Sequence, residues 1–340
     1  MSLATKYRPQ NFESVCGQNI TVTILKKVIL ERAFKNVYLF SGNSGCGKTT
    51  CARIFAKAIN NGIGDPIEID AASNSGVDNV RSIIESANQR SLVGEYKIYI
   101  IDECHSLTSQ AWQAFLKGIE ETPKYTIFIF CTTEPQKIPA TILNRVQRYN
   151  FAPISQTEIK NRLAYICQQE GFTNYEDTCE FISKISNNSM REAITFLEQV
   201  ADYSKDLNID IAKKVFGSIS YETMFKLTWA IQKHDSANII EIIENLFNEG
   251  QDLKNFISLY LSFILDLAKF SIFKDINLTN IPSYLASENN AVVQFTVNNS
   301  SIDYFTNLAP KILEIKSNIR YDLNYKSTII IMLLDIAKIR

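Results

Sequence analysis

The chain has 340 residues, of which 46% are hydrophobic and 21% charged, and its formal net charge is −1 at pH 7. This length and apolar content predict a globular protein with two or three domains rather than one. A net charge near zero gives no general attraction to nucleic acid, so any DNA contact requires a local basic surface.

The cysteines and the apolar stretches indicate in which cellular compartment the protein is found. The seven cysteines are scattered and include no C-x-x-C pair, which fits a reducing compartment and argues against a zinc cluster. No N-terminal segment has a signal-peptide pattern, and the longest apolar stretches, around 257–273 and 329–334, are short or carry charges. We therefore predict a cytoplasmic protein without a membrane partner.

Strand-like and helical patterns alternate up to residue 153. The predicted strands cover residues 37–40, 67–69, 97–101, 126–130 and 146–151. Such alternation is typical of an α/β domain in which helices cover both faces of a parallel sheet. The polar residues Ser41, Asp70, Asp102 and Thr132 are therefore expected at one edge of the sheet, where parallel sheets bind their ligands.

A G-x4-G-K-T loop directly follows the first predicted strand and precedes a helical pattern. Its residues, with the one that follows, are Gly42, Asn43, Ser44, Gly45, Cys46, Gly47, Lys48, Thr49 and Thr50. The glycines of such a loop let backbone N–H groups face phosphates, its lysine reaches the β- and γ-phosphates, and its threonine hydroxyl ligates Mg²⁺. We predict that the chain binds ATP or GTP.

Two adjacent carboxylates follow the predicted strand 97–101. Asp102 is expected to hold the Mg²⁺ shell, and Glu103 to polarise a water molecule for attack on the γ-phosphate. This pair predicts hydrolysis rather than binding alone, with a solvated acidic turn as the alternative. His105 is assigned a structural role, because the other histidine, His234, is distant in sequence.

Two further side chains are predicted to contact the nucleotide. Thr132, with Thr133 as second choice, follows a strand and could hydrogen-bond the attacking water or the γ-phosphate; a simple strand-end turn is the alternative. Ser189 and Glu192 have capping-box spacing, which places Arg191 in a first helical turn. The helix dipole disfavours a cation there unless an anion is close, so Arg191 is expected to face phosphates, with simple solvation as the alternative.

The chain reads as helical after Pro153. Predicted helices at 158–170, 175–185 and 190–203 form a lid, and those at 225–233, 237–248, 253–273 and 325–339 form a further all-α unit, with residues 287–301 as a loop. We predict domains at 1–153, 154–218 and 219–340.

Several segments together resemble a known family. They are residues 3–12 (LATKYRPQNF), 15–18 (VCGQ), 41–49, 102–105 (DECH), 115–121 (FLKGIEE) and 132–139 (TTEPQKIP). They are similar to the AAA+ clamp-loader ATPases, above all the bacterial DNA polymerase III gamma/tau subunits in a short gamma-like form. The resemblance runs from Leu3 to about Val200. It implies an AAA+ P-loop domain with a five-stranded parallel sheet, a helical lid and an all-α collar for oligomerisation.

The same resemblance implies an ATP hydrolase within a pentamer of clamp-loader subunits, which opens a sliding clamp and places it on primer-template DNA. Tyr7, Arg8 and Pro9 would line the adenine and ribose side, with Val15 and Cys16 adjoining. Thr132 would be the first sensor and Arg191 the second. The family's Ser-Arg-Cys motif falls on residues 144–146, so Arg145, between Asn144 and Val146, would enter the neighbouring subunit's site.

Residues 60–66 form a short link where gamma/tau subunits usually carry a four-cysteine zinc module, so no zinc is expected. A polar turn and the helix after it predict contacts with the DNA backbone from Asn74, Ser75, Gly76 and Arg81, although Arg81 could simply be solvated. Two alternatives stay open. They are another AAA+ DNA-remodelling motor, such as a branch-migration helicase or an initiator, and a nucleotide-binding scaffold without turnover.

Overall fold

The computed structural model describes residues 2–91, 93–216, 221–273, 279, 281 and 302–338. The chain divides into two compact units, Met1–Lys205 and Asp206–Arg340. The domain boundary predicted after residue 153 falls within the first unit and stays a prediction. The boundary predicted after residue 218 lies outside the described residues.

The first unit is built on a five-stranded parallel sheet, as the alternating pattern predicted. Its strands are β1 (Val37–Ser41), β2 (Ile67–Asp70), β3 (Lys97–Asp102), β4 (Thr126–Thr132) and β5 (Gln147–Asn150), in the order β2-β3-β4-β1-β5. Every residue of β1 and β4 is buried because helices cover both faces of the sheet. These strands therefore consist almost entirely of apolar residues.

The strand register brings the polar strand ends together at one edge. Ser41 pairs with Thr132 on one side and with Asn150 on the other, and Asp70 pairs with Asp102. The prediction of a single polar edge is confirmed, and the functional site lies there.

Nine α-helices are described in the first unit. They are α1 (Leu3–Lys6), α2 (Asn19–Leu30), α3 (Lys48–Ile59), α4 (Val77–Ala87), α5 (Ser109–Glu120), α6 (Ala140–Leu143), α7 (Gln156–Glu170), α8 (Glu176–Ile185) and α9 (Met190–Tyr203). The core on one face of the sheet contains Phe40 and Phe55, and that on the other face contains Phe115 and Phe128. The last three helices match the predicted lid, and α7 begins with a capping box between Ser155 and Glu158.

The second unit is helical throughout its described part. Its helices are α10 (Ile209–Val215), α11 (Tyr221–Gln232), α12 (Ser236–Asn248), α13 (Leu253–Phe273), α14 (Ile302–Asn318) and α15 (Tyr325–Lys338). The predicted loop at 287–301 lies outside the described residues. Of the helices searched, α13 alone is long and apolar enough to cross a membrane, but half of its most apolar stretch is buried within the protein, as in the core helix of a globular domain.

Candidate nucleotide site

The phosphate loop connects β1 to α3 and ends at a left-handed glycine. Gly47 has φ +97° and precedes Lys48, the first residue of α3. The first N–H groups of a helix have no partner within the helix, so those of α3 are available to an anion. The Lys48 side chain is buried, and its Nζ donates to the carbonyl oxygens of Gly42 and Asn43 at 2.9 and 2.8 Å. The cation is thus held at the loop by the loop's own backbone.

The Mg²⁺ ligands predicted from sequence meet in the structure. Thr49 Oγ1 donates to Asp102 Oδ2 at 2.8 Å, across 53 residues of sequence. The other carboxylate oxygen, Oδ1, accepts the backbone N–H of Glu103 at 3.0 Å. A hydroxyl and a carboxylate are hard oxygen ligands, which Mg²⁺ prefers beside phosphates. These residues therefore fit the metal.

Glu103 has a left-handed backbone, with φ 46° and ψ 42°. Such a conformation costs a non-glycine residue about 1–3 kcal/mol and is found mostly at functional sites. It ends the alternation of β3, which would otherwise direct neighbouring side chains to opposite faces. As a result both Asp102 and Glu103 line the same cleft.

Hydroxyl and imidazole groups surround the Glu103 carboxylate. Its Oε2 accepts from Thr133 Oγ1 at 3.3 Å and lies 3.3 Å from His105 Nδ1. Thr132 is fully buried, and its hydroxyl lies 3.2 Å from the same His105 nitrogen and accepts the N–H of Glu134 at 3.0 Å. Thr133 is therefore the strand-tip hydroxyl in contact with Glu103, while Thr132 lies behind it.

One cleft collects most of the predicted site residues. The part of the chain that the structure describes lines it with Tyr7, Arg8, Pro9, Val15, Cys16, residues 44–50, Asp102, Glu103 and Arg191, together with Ala4, Ile154, Arg162, Met190 and Ile194. Gly42 and Asn43 lie beneath it and hold Lys48. The N-terminal segment, the phosphate loop, the carboxylates and the lid thus converge on one space.

The lid contacts the phosphate loop directly. The N–H of Met190, the first residue of α9, donates to the carbonyl oxygen of Gly45 at 3.1 Å. Ser189 caps α9 by accepting the N–H of Glu192 at 3.3 Å, which is the Ser189 half of the capping box that the spacing predicted. Gly45 has φ +71°, and a Cβ there would lie 2.0 Å from Ser189 Oγ. A glycine is thus needed where the lid meets the loop, and this contact places Arg191 beside the cleft.

A set of contacts that we name the N-terminal strap ties α1 to the lid. Glu170 accepts from Lys6 Nζ at 2.6 Å and from the Tyr7 hydroxyl. Arg162 Nη2 donates to the Tyr7 carbonyl at 2.8 Å, and Glu198 accepts the Leu3 N–H at 2.9 Å. These bonds join residues 155 to 195 positions apart in sequence. No local pattern marks them, so sequence reasoning missed Arg162 and Glu170.

The strap perturbs the protonation of its members. Burial, reinforced by the Glu170 carboxylate, raises the pKa of Tyr7 to about 12, so this hydroxyl remains a donor at neutral pH. The hydrogen bond from Lys6, followed by that from Tyr7, lowers the pKa of Glu170 from its ordinary value. The carboxylate that joins the two segments is therefore ionised at neutral pH.

Gln18 fixes the point where the chain enters the lid. Its side-chain nitrogen donates to the carbonyl oxygens of Cys46 at 3.2 Å and Ala152 at 2.7 Å, and its side-chain oxygen accepts the Ala152 N–H at 3.1 Å. Beyond it, Asn188 Nδ2 donates to the Ile154 carbonyl at 2.7 Å. The phosphate loop and the hinge of the lid therefore share one buried amide.

Comparison with known proteins relates the chain to subunits of DNA polymerase III. The family described as DNA polymerase III, delta subunit, matches residues 65–155. DNA polymerase III subunit tau of Bacillus subtilis is 38% identical over 268 residues, which cover 72% of this chain and 48% of that protein. DNA polymerase III subunit gamma/tau of Mycoplasma genitalium is 33% identical over 296 residues, covering 80% and 50% respectively.

The chain is similar to DNA polymerase III gamma/tau subunits over most of its length. Its homologues are DNA polymerase III gamma/tau subunits, as the sequence motifs predicted, and the chain spans about half the length of these curated relatives. Among solved structures, the Thermotoga maritima RuvB Holliday junction branch migration motor superposes with a TM-score of 0.53 at 19% identity, covering 66% of this chain and 79% of that one. This likeness shows the AAA+ P-loop fold alone.

The residues predicted to contact a neighbouring subunit or DNA lie away from the cleft. Arg145 is not among the described residues that line it; its Nη2 lies 2.7 Å from Glu120 Oε1. On the loop before α4, Asn74 Nδ2 donates to the Asp70 carbonyl at 3.0 Å, the Ser75 carbonyl accepts the Thr108 N–H at 3.1 Å, and Gly76 precedes the helix. Arg81, on α4, is exposed and lies 3.2 Å from Asp78. These residues keep their predicted roles as predictions only.

Proposed function

We propose that this chain is an ATPase subunit of a DNA polymerase clamp loader, which uses ATP binding and hydrolysis to open a sliding clamp and load it onto primed DNA. The observation that carries the proposal is the 2.8 Å hydrogen bond between Thr49 and Asp102 beside the buried Lys48. It joins the phosphate loop to the acidic strand end, as an ATPase requires. The clamp-loader homologues supply the biological context.

Binding of the triphosphate is assigned to the phosphate loop and the N-terminus of α3. Lys48 already lies at the loop, so its charge does not have to be brought there when phosphates arrive. Mg²⁺, held by Thr49 and Asp102, would supply positive charge to the phosphate oxygens. Tyr7, Arg8 and Pro9 would contact the base and ribose, since they line the same cleft.

Hydrolysis is assigned to Glu103. Its carboxylate lines the cleft and can accept a proton from a water molecule directed at the γ-phosphate. The Thr133 hydroxyl, 3.3 Å away, would hold this carboxylate or the water in position. We therefore assign the first sensor to Thr133 and a supporting role to Thr132, which is buried behind it.

Communication between subunits is assigned to two arginines. Arg191 would contact the phosphates from the chain's own lid, and Arg145 those of the neighbouring subunit. A ligand shifts a conformational equilibrium only through its different affinities for the two states. ATP would therefore favour the assembled form through these contacts, and hydrolysis would release it. The partners would be other clamp-loader subunits in a pentamer, a sliding clamp and primer-template DNA, in the cytoplasm.

The test is steady-state ATP hydrolysis by the assembled complex, with and without primed DNA and a clamp. Stimulation by DNA and clamp together supports the loader. Stimulation by DNA alone would instead indicate another AAA+ motor, and no stimulation would indicate a scaffold. Glu103→Gln should keep ATP binding and lose turnover. Glu134→Gln is its matched control, because Glu134 lies 3.5 Å from the other nitrogen of His105 and does not line the cleft among the described residues.

Contact with DNA is proposed for the loop of residues 74–76 and for Arg81. Among the described residues Arg81 pairs with exposed Asp78 alone, in an interaction worth at most about 1 kcal/mol, so a phosphate can compete for it. Arg81→Ala should weaken binding to all sequences alike and lower the salt dependence by about one phosphate contact. Unchanged binding and salt dependence would remove Arg81 from the interface.

A further inference from the structure

Arg145 is held on two sides in the isolated chain. It follows α6, and its backbone N–H donates to the Ile142 carbonyl at 2.9 Å. One terminal nitrogen, Nη1, donates to the Thr141 carbonyl at 2.9 Å, and the other, Nη2, lies 2.7 Å from Glu120 Oε1. The side chain is nevertheless 42% exposed. Arg145 is therefore oriented while part of its guanidinium still faces solvent.

Glu120 is attached to a rigid part of the fold. It is the last residue of α5, and the preceding residue, Ile119, is buried against the sheet with Phe115. Ile142 of α6 belongs to the same buried cluster. The core that fixes α5 thus also fixes the helix before Arg145, so the backbone segments that carry the carboxylate and the arginine are anchored in one cluster.

We propose that Glu120 is a positioning residue for Arg145, which it holds in the orientation that reaches a neighbouring protomer's triphosphate. This inference rests on the proposed function, because it assumes that Arg145 acts on an adjoining site. A free arginine samples many rotamers, and fixing it at the moment of reaction costs entropy. Glu120 and the Thr141 carbonyl already restrict the rotamers of Arg145, so less entropy is lost when it meets the triphosphate.

The chemistry leaves donors available for the phosphate. A guanidinium has five N–H donors in a planar fork, and one carboxylate oxygen and one carbonyl oxygen cannot occupy them all. The residues that flank Arg145, Asn144 and Val146, differ from the Ser and Cys of the family motif. Glu120 supplies from a neighbouring helix a support that does not depend on those flanking side chains.

The experiment separates the subunit that donates the arginine from the subunit that hydrolyses. A donor chain carries Glu103→Gln, so it cannot hydrolyse ATP but keeps its arginine. A recipient chain carries Arg145→Ala, so it has an intact site but no arginine to donate. In mixed oligomers, turnover then arises where a donor adjoins a recipient. Glu120→Gln is introduced into one chain at a time, and kcat and KM for ATP are measured.

Glu120→Gln in the donor should lower the kcat of the mixture roughly 2- to 5-fold, the scale of one partly exposed ion pair, and leave KM unchanged. The same substitution in the recipient should change nothing, because that chain has no Arg145 to position. Glu121→Gln in the donor is the matched control. Glu121 follows Glu120 directly and is exposed, and no ion pair is seen for it among the described residues.

Two results would overturn the inference. Equal losses from Glu120→Gln in donor and recipient would mean that Glu120 supports only its own chain. Higher turnover would mean that Glu120 restrains the arginine rather than presenting it. Failure of the proposed function gives a different result: Arg145→Ala added to the donor would then leave the mixture fully active, or the chains would not associate.

Discussion

Gly45→Ala tests whether the lid depends on its contact with the phosphate loop. The added Cβ would lie 2.0 Å from Ser189 Oγ and 2.9 Å from Ser189 Cβ. Because Ser189 is the N-cap of α9 and its Cβ also lies too close, turning the hydroxyl away does not relieve the contact, and the start of the helix must move. We expect α9 to separate from the loop, with loss of the bond between the Met190 N–H and the Gly45 carbonyl.

The magnitude follows from three contributions. A left-handed alanine costs roughly 1–2 kcal/mol. Loss of the Met190 hydrogen bond adds about 1 kcal/mol, and disturbance of the Ser189 cap adds about 1 kcal/mol. The total is about 3–4 kcal/mol of unfolding free energy. Gly62→Ala is the matched control, since Gly62 has φ +81° and no atom lies within 4 Å of an added Cβ. Its free energy of unfolding should fall only by the contribution of backbone strain.

Two measurements decide the outcome in the nucleotide-free protein. Denaturant unfolding gives the difference in free energy between the two variants, and amide hydrogen exchange reports the Met190 N–H. Gly45→Ala should remove protection at Met190, whereas Gly62→Ala should retain it. ATP affinity should also fall about tenfold or more in Gly45→Ala, because Arg191 leaves the cleft. Equal stability and equal Met190 protection in the two variants would refute the reasoning.

Three further changes test the strap, the cleft and the core. Glu170→Gln should make the N-terminal segment accessible to proteolysis at neutral pH. Because the pKa of Glu170 is lowered, the wild-type strap stabilises the protein fully at pH 7, and this stabilisation is lost as the pH falls through the lowered pKa. A wild-type protein whose proteolysis does not change with acid would contradict this. All seven cysteines are described, and only Cys16 is not buried. A thiol reagent should therefore modify Cys16 first, as detected by mass spectrometry, and ATP should protect it because it lines the cleft. Labelling of another cysteine first, or no protection by ATP, would contradict its place in the cleft. Phe115→Ala should lower the free energy of unfolding by about 3–5 kcal/mol in denaturant titration, and a loss below about 1 kcal/mol would contradict the rigid α5.

The sequence predicted the sheet and the lid because both leave local patterns. Buried parallel strands are continuous apolar runs, so residues 37–40 and 126–130 predicted β1 and β4 to within two residues. The apolar periodicity likewise predicted the bounds of α9 and α13. Helix α14 was not predicted, since Pro310 inside it interrupts the pattern. Packing of the helix within its unit overrides that signal.

The site could be predicted where one motif contains the chemistry. The phosphate loop and the carboxylates Asp102 and Glu103 could be recognised from the order of adjacent residues in the sequence alone. The strap could not be predicted, since Arg162 and Glu170 contact Tyr7 only after the lid has folded onto the N-terminal segment. The proposed choice of Thr133 over Thr132 also needed three dimensions, because it rests on the burial of Thr132 and on the contact of Thr133 with Glu103.

The amide of Gln18 has a consequence for movement of the lid. It uses both ends to hold Ala152, and one end also holds the phosphate loop, so the chain is clamped just before α7 begins. A lid held at that point would rotate about it rather than translate along the sheet. A small rotation of the lid at the phosphates would then produce a larger displacement at the far end of α9.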